Sequence, residues 1–138
     1  MKKIIWIILA VCSLAACKKS AVTPSPNITG KWELHRRYGG FIVPPDTTYQ
    51  AGNGNILQFN SDSTYKSYAN GTLSQQGVYH ILKGAYKQNN HAYDELYFDD
   101  NNYRDATFLY VITVVGPVLT INPLMPDIGT TEYDKIAN

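Results

Sequence analysis

Histidine and serine side chains are the first groups in this chain to consider for metal binding or catalysis. The three histidines, His35, His80 and His91, lie on three different segments, and no His-x-His or His-x-x-x-His spacing brings two of them together on a metal ion. No serine stands in a Gly-x-Ser-x-Gly sequence, the nucleophile turn of many hydrolases. We therefore expect no metal, no cofactor and no catalytic residue, and interpret the histidines as surface or cross-strand residues.

An acidic stretch at residues 94–105 is a further candidate for ion binding. It holds five acidic residues, and Asp100 and Asn102 imitate the first ligands of a calcium loop. The glycine at the sixth position and the closing glutamate of such a loop are both missing. The composition instead predicts a solvated turn between two strands.

Cys17 is the cysteine with the clearest chemical context. It follows Leu14-Ala15-Ala16, a positively charged start, and an apolar run over residues 4–11. That run is about half of the roughly 20 residues that a membrane-crossing helix needs, which favours a signal peptide. Residues 14–17 resemble the bacterial lipobox, whose cysteine is diacylated and becomes the new N-terminus. The alternative is an ordinary secretory signal with a chance cysteine.

The lipobox resemblance implies a lipoprotein signal peptide at residues 1–16 and a lipid on Cys17 that anchors the protein to a membrane. We expect a location in the bacterial cell envelope, at the periplasmic or the surface face of the outer membrane. Removal of the signal leaves ten Lys and Arg against eleven acidic residues. The mature chain therefore lacks the excess of positive charge that nucleic-acid binding requires, and we expect no nucleic-acid partner. Cys12 leaves with the signal, and no thiol remains for a disulfide.

The mature chain divides into a tether and one domain. Residues 17–27 contain Pro24 and Pro26 and are predicted to be a flexible linker that follows the lipidated N-terminus. Residues 28–138 number 111, which fits a single domain.

Short strand-like runs, rich in Tyr, Thr, Val and Ile, fill the domain and alternate with turn clusters. Asn70-Gly71 is the strongest hairpin signal. No window of ten or more residues has a helical stripe. The pattern predicts an all-β antiparallel barrel, with a β-sandwich as the alternative. The eight predicted strands are residues 31–38, 55–59, 64–69, 76–82, 95–98, 106–115, 118–121 and 131–136.

A set of short motifs supports the barrel. Gly30-Lys31-Trp32 opens the first strand, Phe59 ends the second, and an Asp-Ser-Thr turn and Gly77-Val78-Tyr79 follow. In this order they resemble small bacterial lipoproteins with a lipocalin-like domain, of the kind found in Bacteroidetes, over most of residues 28–138. The resemblance implies an eight-stranded barrel whose closed end is formed by Gly30 and the Trp32 plug. A basic residue of the last strand, here Lys135, would cross the indole, where lipocalins usually have arginine.

Strand alternation assigns the faces of the first strand. With Trp32 facing inward, Leu34 is predicted to face inward as well, and Glu33, His35 and Arg37 to face outward.

The predicted interior is apolar with several hydroxyl groups. Phe59, Tyr65, Ser67 and Tyr110 are the predicted ligand-binding residues, because apolar walls with a few polar groups are typical of small-molecule sites. Two non-enzymatic functions are compatible with this pattern. One is a module that binds a small hydrophobic or amphipathic ligand, with the loop 39–53 as its entrance lid. The other is an interaction module with a filled barrel, whose loop contacts another envelope protein.

Overall fold

A computed structural model describes residues 27–41, 46–99, 109–125 and 127–137. The predicted signal peptide and Cys17 lie outside these ranges. Every regular element in the described ranges is a β-strand. These ranges contain no helix that is long and apolar enough to span a membrane. The strands are β1 (Gly30–Tyr38), β2 (Thr47–Thr48), β3 (Ile56–Phe59), β4 (Thr64–Ala69), β5 (Thr72–Gln88), β6 (His91–Asp99), β7 (Tyr110–Val115), β8 (Val118–Pro123) and β9 (Thr130–Ile136).

The strands form one antiparallel sheet that closes on itself. From β3 to β9 each strand pairs with the next, β1 pairs with β3 on one edge, and β1 pairs with β9 on the other. The short β2 extends the β3 edge of β1, where Arg36 lies opposite Thr48. The predicted eight-stranded antiparallel barrel is therefore confirmed, with one additional strand, and the sandwich alternative is excluded.

Large apolar residues at alternate strand positions point into the barrel interior from all sides. Partly buried residues, among them Phe98, Tyr110 and Tyr133, pack against this core. Alternation explains the pattern, since every second side chain of a barrel strand faces the lumen. The buried core residues are Ile28, Trp32, Leu57, Phe59, Tyr65, Tyr79, Leu96, Ile112, Leu119 and Ile121.

A β-bulge in β1 reverses the predicted faces beyond Leu34. Leu34 lies opposite Tyr133, whereas Glu132 lies opposite Arg36, so His35 is the extra residue. A bulge inserts one residue into one strand, which shifts the following side chains to the other face. Arg37 therefore lies on the same face as the inward Tyr133, and the outward orientation predicted for it is wrong.

Both strands of the β5–β6 hairpin are longer than the sequence predicted. β5 pairs with β4 through its first half and with β6 through its second. Two-residue turns close both ends of β5, at Asn70-Gly71 as predicted and at Asn89-Asn90, and all four residues have positive φ. Such turns need left-handed backbone, which Gly and Asn adopt most readily.

The described part of the loop 39–53 is bound to β1. The Arg36 guanidinium donates two hydrogen bonds of 2.6 Å to the Asp46 carboxylate, and this hydrogen bonding lowers the pKa of Asp46 below its usual range. The Tyr49 amide donates to the His35 carbonyl. Further along, the Glu33 carboxylate accepts hydrogen bonds from two glycine amides. These contacts hold residues 46–53 as a strap along β1.

The acidic stretch at 94–105 is only partly a turn. Its first six residues belong to β6, which contains the predicted strand 95–98, so the interpretation of the whole stretch as a turn is wrong for residues 94–99. Asp94 faces β7 and accepts a hydrogen bond from the Gly84 amide at 2.8 Å. The candidate calcium ligands Asp100 and Asn102 lie outside the described residues.

Candidate functional site

The three residues predicted for the closed end of the barrel lie together. The Trp32 indole is 1% exposed, and its Nε1 donates to the Ile28 carbonyl at 2.6 Å. Lys135 lies opposite Trp32 in the β1–β9 pairing, with Nζ 5.1 Å from the indole ring centroid. A Cβ on Gly30, whose φ is +128°, would lie 3.3 Å from Lys135 Cε. Glycine at position 30 thus lets the lysine stem pass over the indole.

The residues predicted to line a pocket lie on the inward face, where aromatic rings contact one another. Phe59 and Tyr65 are buried, and Tyr110 is partly buried against the core. Ring centroids are 4.5 Å apart for Tyr65 and Phe98, 6.3 Å for Phe59 and Phe98, and 5.9 Å for Phe98 and Tyr110. Ser67 lies on the same face, opposite Leu57. At this level of the barrel the side chains form a packed aromatic cluster around Phe98.

The opposite end of the barrel is more polar. Tyr133 faces inward from β9, and burial raises the pKa of its phenol, while the nearby Arg37 charge opposes that shift. Arg37 itself is exposed, so it lies at the rim of this end. The two residues form an amphipathic mouth above the aromatic cluster.

A cavity of about 470 Å³ lies on the outer wall of the barrel. We call it the outer groove. Its floor is made by residues of β7, β8, β9 and β1 that alternate with the core residues and therefore point away from the lumen. Val111 lies opposite Asn122, and Thr130 lies opposite Tyr38. The floor consists of Tyr38, Val111, Thr113, Thr120, Asn122 and Thr130, and Pro123 and Leu124 also line the cavity.

The wall of the outer groove comes from the tip of the β5–β6 hairpin. Tyr86, Gln88 and Tyr93 line the same cavity as the floor residues, and the rings of Tyr86 and Tyr93 are 6.3 Å apart at 45°. The pairing of β5 with β6 shifts between Leu82 and Tyr86, where Gly84 has φ +59°. A bulge of this kind bends a strand, which explains how the hairpin tip comes to lie along the outer face of the neighbouring strands.

The polar groups of the outer groove are uncharged and partly fixed in orientation. The Thr130 hydroxyl donates to Asn122 Oδ1 at 3.0 Å. The Tyr38 hydroxyl donates to Glu132 at 3.1 Å, and burial together with this bond raises the pKa of the phenol. The Arg36 guanidinium lies 4.7 Å from the centre of the Tyr38 ring. The described lining residues include no Asp, Glu, Lys, Arg or His.

The histidines lie apart from one another. His35 Nδ1 is 3.2 Å from an Asp134 carboxylate oxygen, His80 stacks on Tyr97 at 4.7 Å, and His91 lies 6.4 Å from the Tyr93 ring. In the ranges that the structure covers, no three His, Cys, Asp or Glu side chains are grouped closely enough to hold a metal ion.

Sequence reasoning missed every residue of the outer groove. Alternation without a bulge would turn Tyr38 inward, and the predicted strands end before Tyr86 and begin after Tyr93. Asn89-Asn90 is the signal that would have extended the hairpin, because asparagine pairs favour tight left-handed turns.

Comparisons of this chain with protein-family models, with curated proteins and with solved structures find no match in any of the three.

Proposed function

We propose that this protein is a non-enzymatic lipoprotein of the bacterial cell envelope that binds a small amphipathic ligand in the outer groove. The observation that carries the proposal is the groove itself. Its volume falls in the range of small-molecule clefts, and it combines aromatic rings and aliphatic residues with amides and hydroxyls. The barrel then serves as a rigid scaffold for a site on its wall.

The packed aromatic cluster favours the outer wall over the lumen. Phe59 and Tyr65 are nearly inaccessible, and Phe59 also contacts Tyr79 edge-on at 4.9 Å. A ligand at their level would have to displace rings that already contact one another, and native cores have little room for that. The outer groove needs no such rearrangement.

Nuclear magnetic resonance titration of the ¹⁵N-labelled mature protein tests the site. The probes are uncharged sugars, nucleosides and a polyoxyethylene detergent, together with palmitate as a lumen probe. We expect at least one uncharged probe to give saturable shifts at Thr113, Thr120 and Asn122. Trp32 fluorescence should stay constant, because this single tryptophan of the mature chain is buried at the closed end.

Ser67→Phe is the control for the lumen, because Ser67 lies on the inward face. It should leave the groove shifts unchanged. The proposal is wrong if saturable probes instead shift the amide signals of Ser67 and Gln75 and quench the fluorescence of Trp32.

If no probe binds anywhere, the interaction module becomes the better function. Phe41, 88% exposed in the loop 39–53, is the observation that favours that module, and Phe41→Ser should then abolish capture of an envelope partner.

The lipid on Cys17 accounts for the proposed location. Residues 14–17 resemble a lipobox, and attached acyl chains would anchor the mature protein, because each buried methylene contributes about 0.8 kcal/mol. With Cys17→Ser we expect an uncleaved or soluble protein that no longer partitions into the detergent phase. Phase separation and the mass of the N-terminal peptide measure this. Membrane fractionation equal to that of the parent would contradict the lipoprotein proposal.

A further inference from the structure

We propose that the ligand of the outer groove is a neutral carbohydrate, bound as a short stretch of a glycan chain. This inference rests on the proposed function and names the ligand class for the same site. Three features of the groove carry it: the absence of charged side chains from the described lining, the paired tyrosine rings, and the amides and hydroxyls between them.

The charge of the lining argues for a neutral ligand. An ionic ligand would lose hydration in the groove without meeting an opposite charge, which is unfavourable. Three charged side chains lie beside the floor without lining it: Arg36 binds Asp46, Glu132 accepts the Tyr38 hydroxyl, and Glu95, opposite Val111, is buried. The described lining itself therefore offers no ion to a charged ligand.

The aromatic rings argue for a ligand with flat apolar faces. Tyr86 and Tyr93 stand side by side on the wall, and Tyr38 lies on the floor across the groove. Aromatic side chains offer a large, rigid apolar surface at a low cost in conformational entropy. The C–H faces of pyranose rings match such a surface, and two neighbouring rings suit successive sugar units of a chain.

The polar groups argue against a purely hydrocarbon ligand. Gln88, Asn122, Thr113 and Thr120 bring amide and hydroxyl groups to the cavity. An acyl chain would cover these groups without satisfying them, at a cost in free energy for each. Sugar hydroxyls both donate and accept, as the amides and threonine hydroxyls do. Because Thr130 donates to Asn122 Oδ1, the Asn122 amide nitrogen is oriented to donate elsewhere.

The full mature protein is titrated with maltohexaose, cellohexaose, chitohexaose and xylohexaose, and binding is measured by calorimetry and by shifts of the groove amides. We expect saturable binding of at least one of these chains. Its affinity should stay unchanged when the salt concentration is raised to about 0.5 M, because no ion pair contributes. Oligogalacturonate, a charged sugar chain, should bind more weakly than the neutral chain.

Variants locate the binding. Tyr86→Ala and Tyr93→Ala should each weaken the affinity about tenfold, since each removes one stacking ring. Asn122→Ala should weaken it about threefold to tenfold through the lost hydrogen bond. Tyr97→Ala is the matched control, because Tyr97 lies on the same face of β6 as Tyr93 but outside the groove. It should leave the affinity unchanged.

The outcomes separate the two proposals. Groove binding by nucleosides or by the uncharged detergent, with none by the sugars, overturns the carbohydrate inference and leaves the proposed function in place. Sugar binding that is insensitive to Tyr86→Ala and Tyr93→Ala also overturns the inference, because it places the sugar elsewhere. If no probe of any class shifts the groove amides, both proposals fail.

Discussion

Trp32→Ala should lower the free energy of unfolding by about 3–5 kcal/mol, the usual cost of deleting a fully buried tryptophan side chain. The indole is enclosed at the closed end of the barrel, between Leu57 on β3 and Lys135 on β9. Its removal opens a cavity there and leaves the Ile28 carbonyl without its N–H donor. Urea unfolding followed by far-ultraviolet circular dichroism is the suitable measurement, because the variant has lost the tryptophan signal.

Two further variants separate the contributions at this end. Trp32→Phe keeps an aromatic ring and should cost less than Trp32→Ala. Lys135→Ala removes an exposed cation together with the stem that passes over the indole, so it should cost about 1 kcal/mol. A Trp32→Ala variant destabilised by less than Lys135→Ala would show that the closed end contributes little to the stability of the barrel.

Glu33→Ala should lower the free energy of unfolding by about 2–4 kcal/mol, given that hydrogen bonds to a charged group contribute about 1.5–3 kcal/mol each. The Glu33 carboxylate is buried, with 8% exposure, and accepts hydrogen bonds from the Gly52 amide at 2.8 Å and the Gly54 amide at 3.0 Å. Alanine would leave both amides without this acceptor at the base of the strap. Urea unfolding gives the stability, and amide hydrogen exchange at Gly52 and Gly54 gives the local effect.

Asp134→Ala is the matched control for Glu33→Ala. Asp134 lies directly opposite Glu33 on β9, but its side chain is half exposed and forms an ion pair with His35 at the surface. Exposed ion pairs contribute about 0–1 kcal/mol, so the control should be nearly neutral. Equal losses for the two variants, or unchanged exchange at Gly52 and Gly54 in Glu33→Ala, would contradict the role given to the buried carboxylate.

Local signals in the sequence were sufficient for the strand content and for one of the turns. Asn70-Gly71 forms its hairpin as predicted because both residues tolerate the left-handed backbone that the turn needs, whatever surrounds them. Trp32, Phe59 and Tyr65 are buried as alternation predicted, because a side chain's face within a regular strand depends only on its position. Closure of the barrel followed from the number of strands and from the resemblance, and the structure bears it out.

Alternation failed where the strand was irregular. The residue types at positions 34–36 do not predict the bulge at His35. The bulge arises from the pairing of β1 with β9, a strand about one hundred residues later in the chain. That one extra residue turns Arg37 toward the mouth of the barrel and Tyr38 toward the outer wall. The bulge at Gly84 likewise bends β5, and the length of β5 depends on its pairing with β6.

The outer groove needs both bulges and the curvature of the closed sheet. Tyr38, Thr130, Asn122 and Val111 are dispersed along the chain, and they become neighbours only in the register of four paired strands. A side chain's type and its place in a strand are local properties that can be read along the chain. A groove on the outside of a barrel is a property of register, because sliding any one strand by a single residue would move its contribution to the other face.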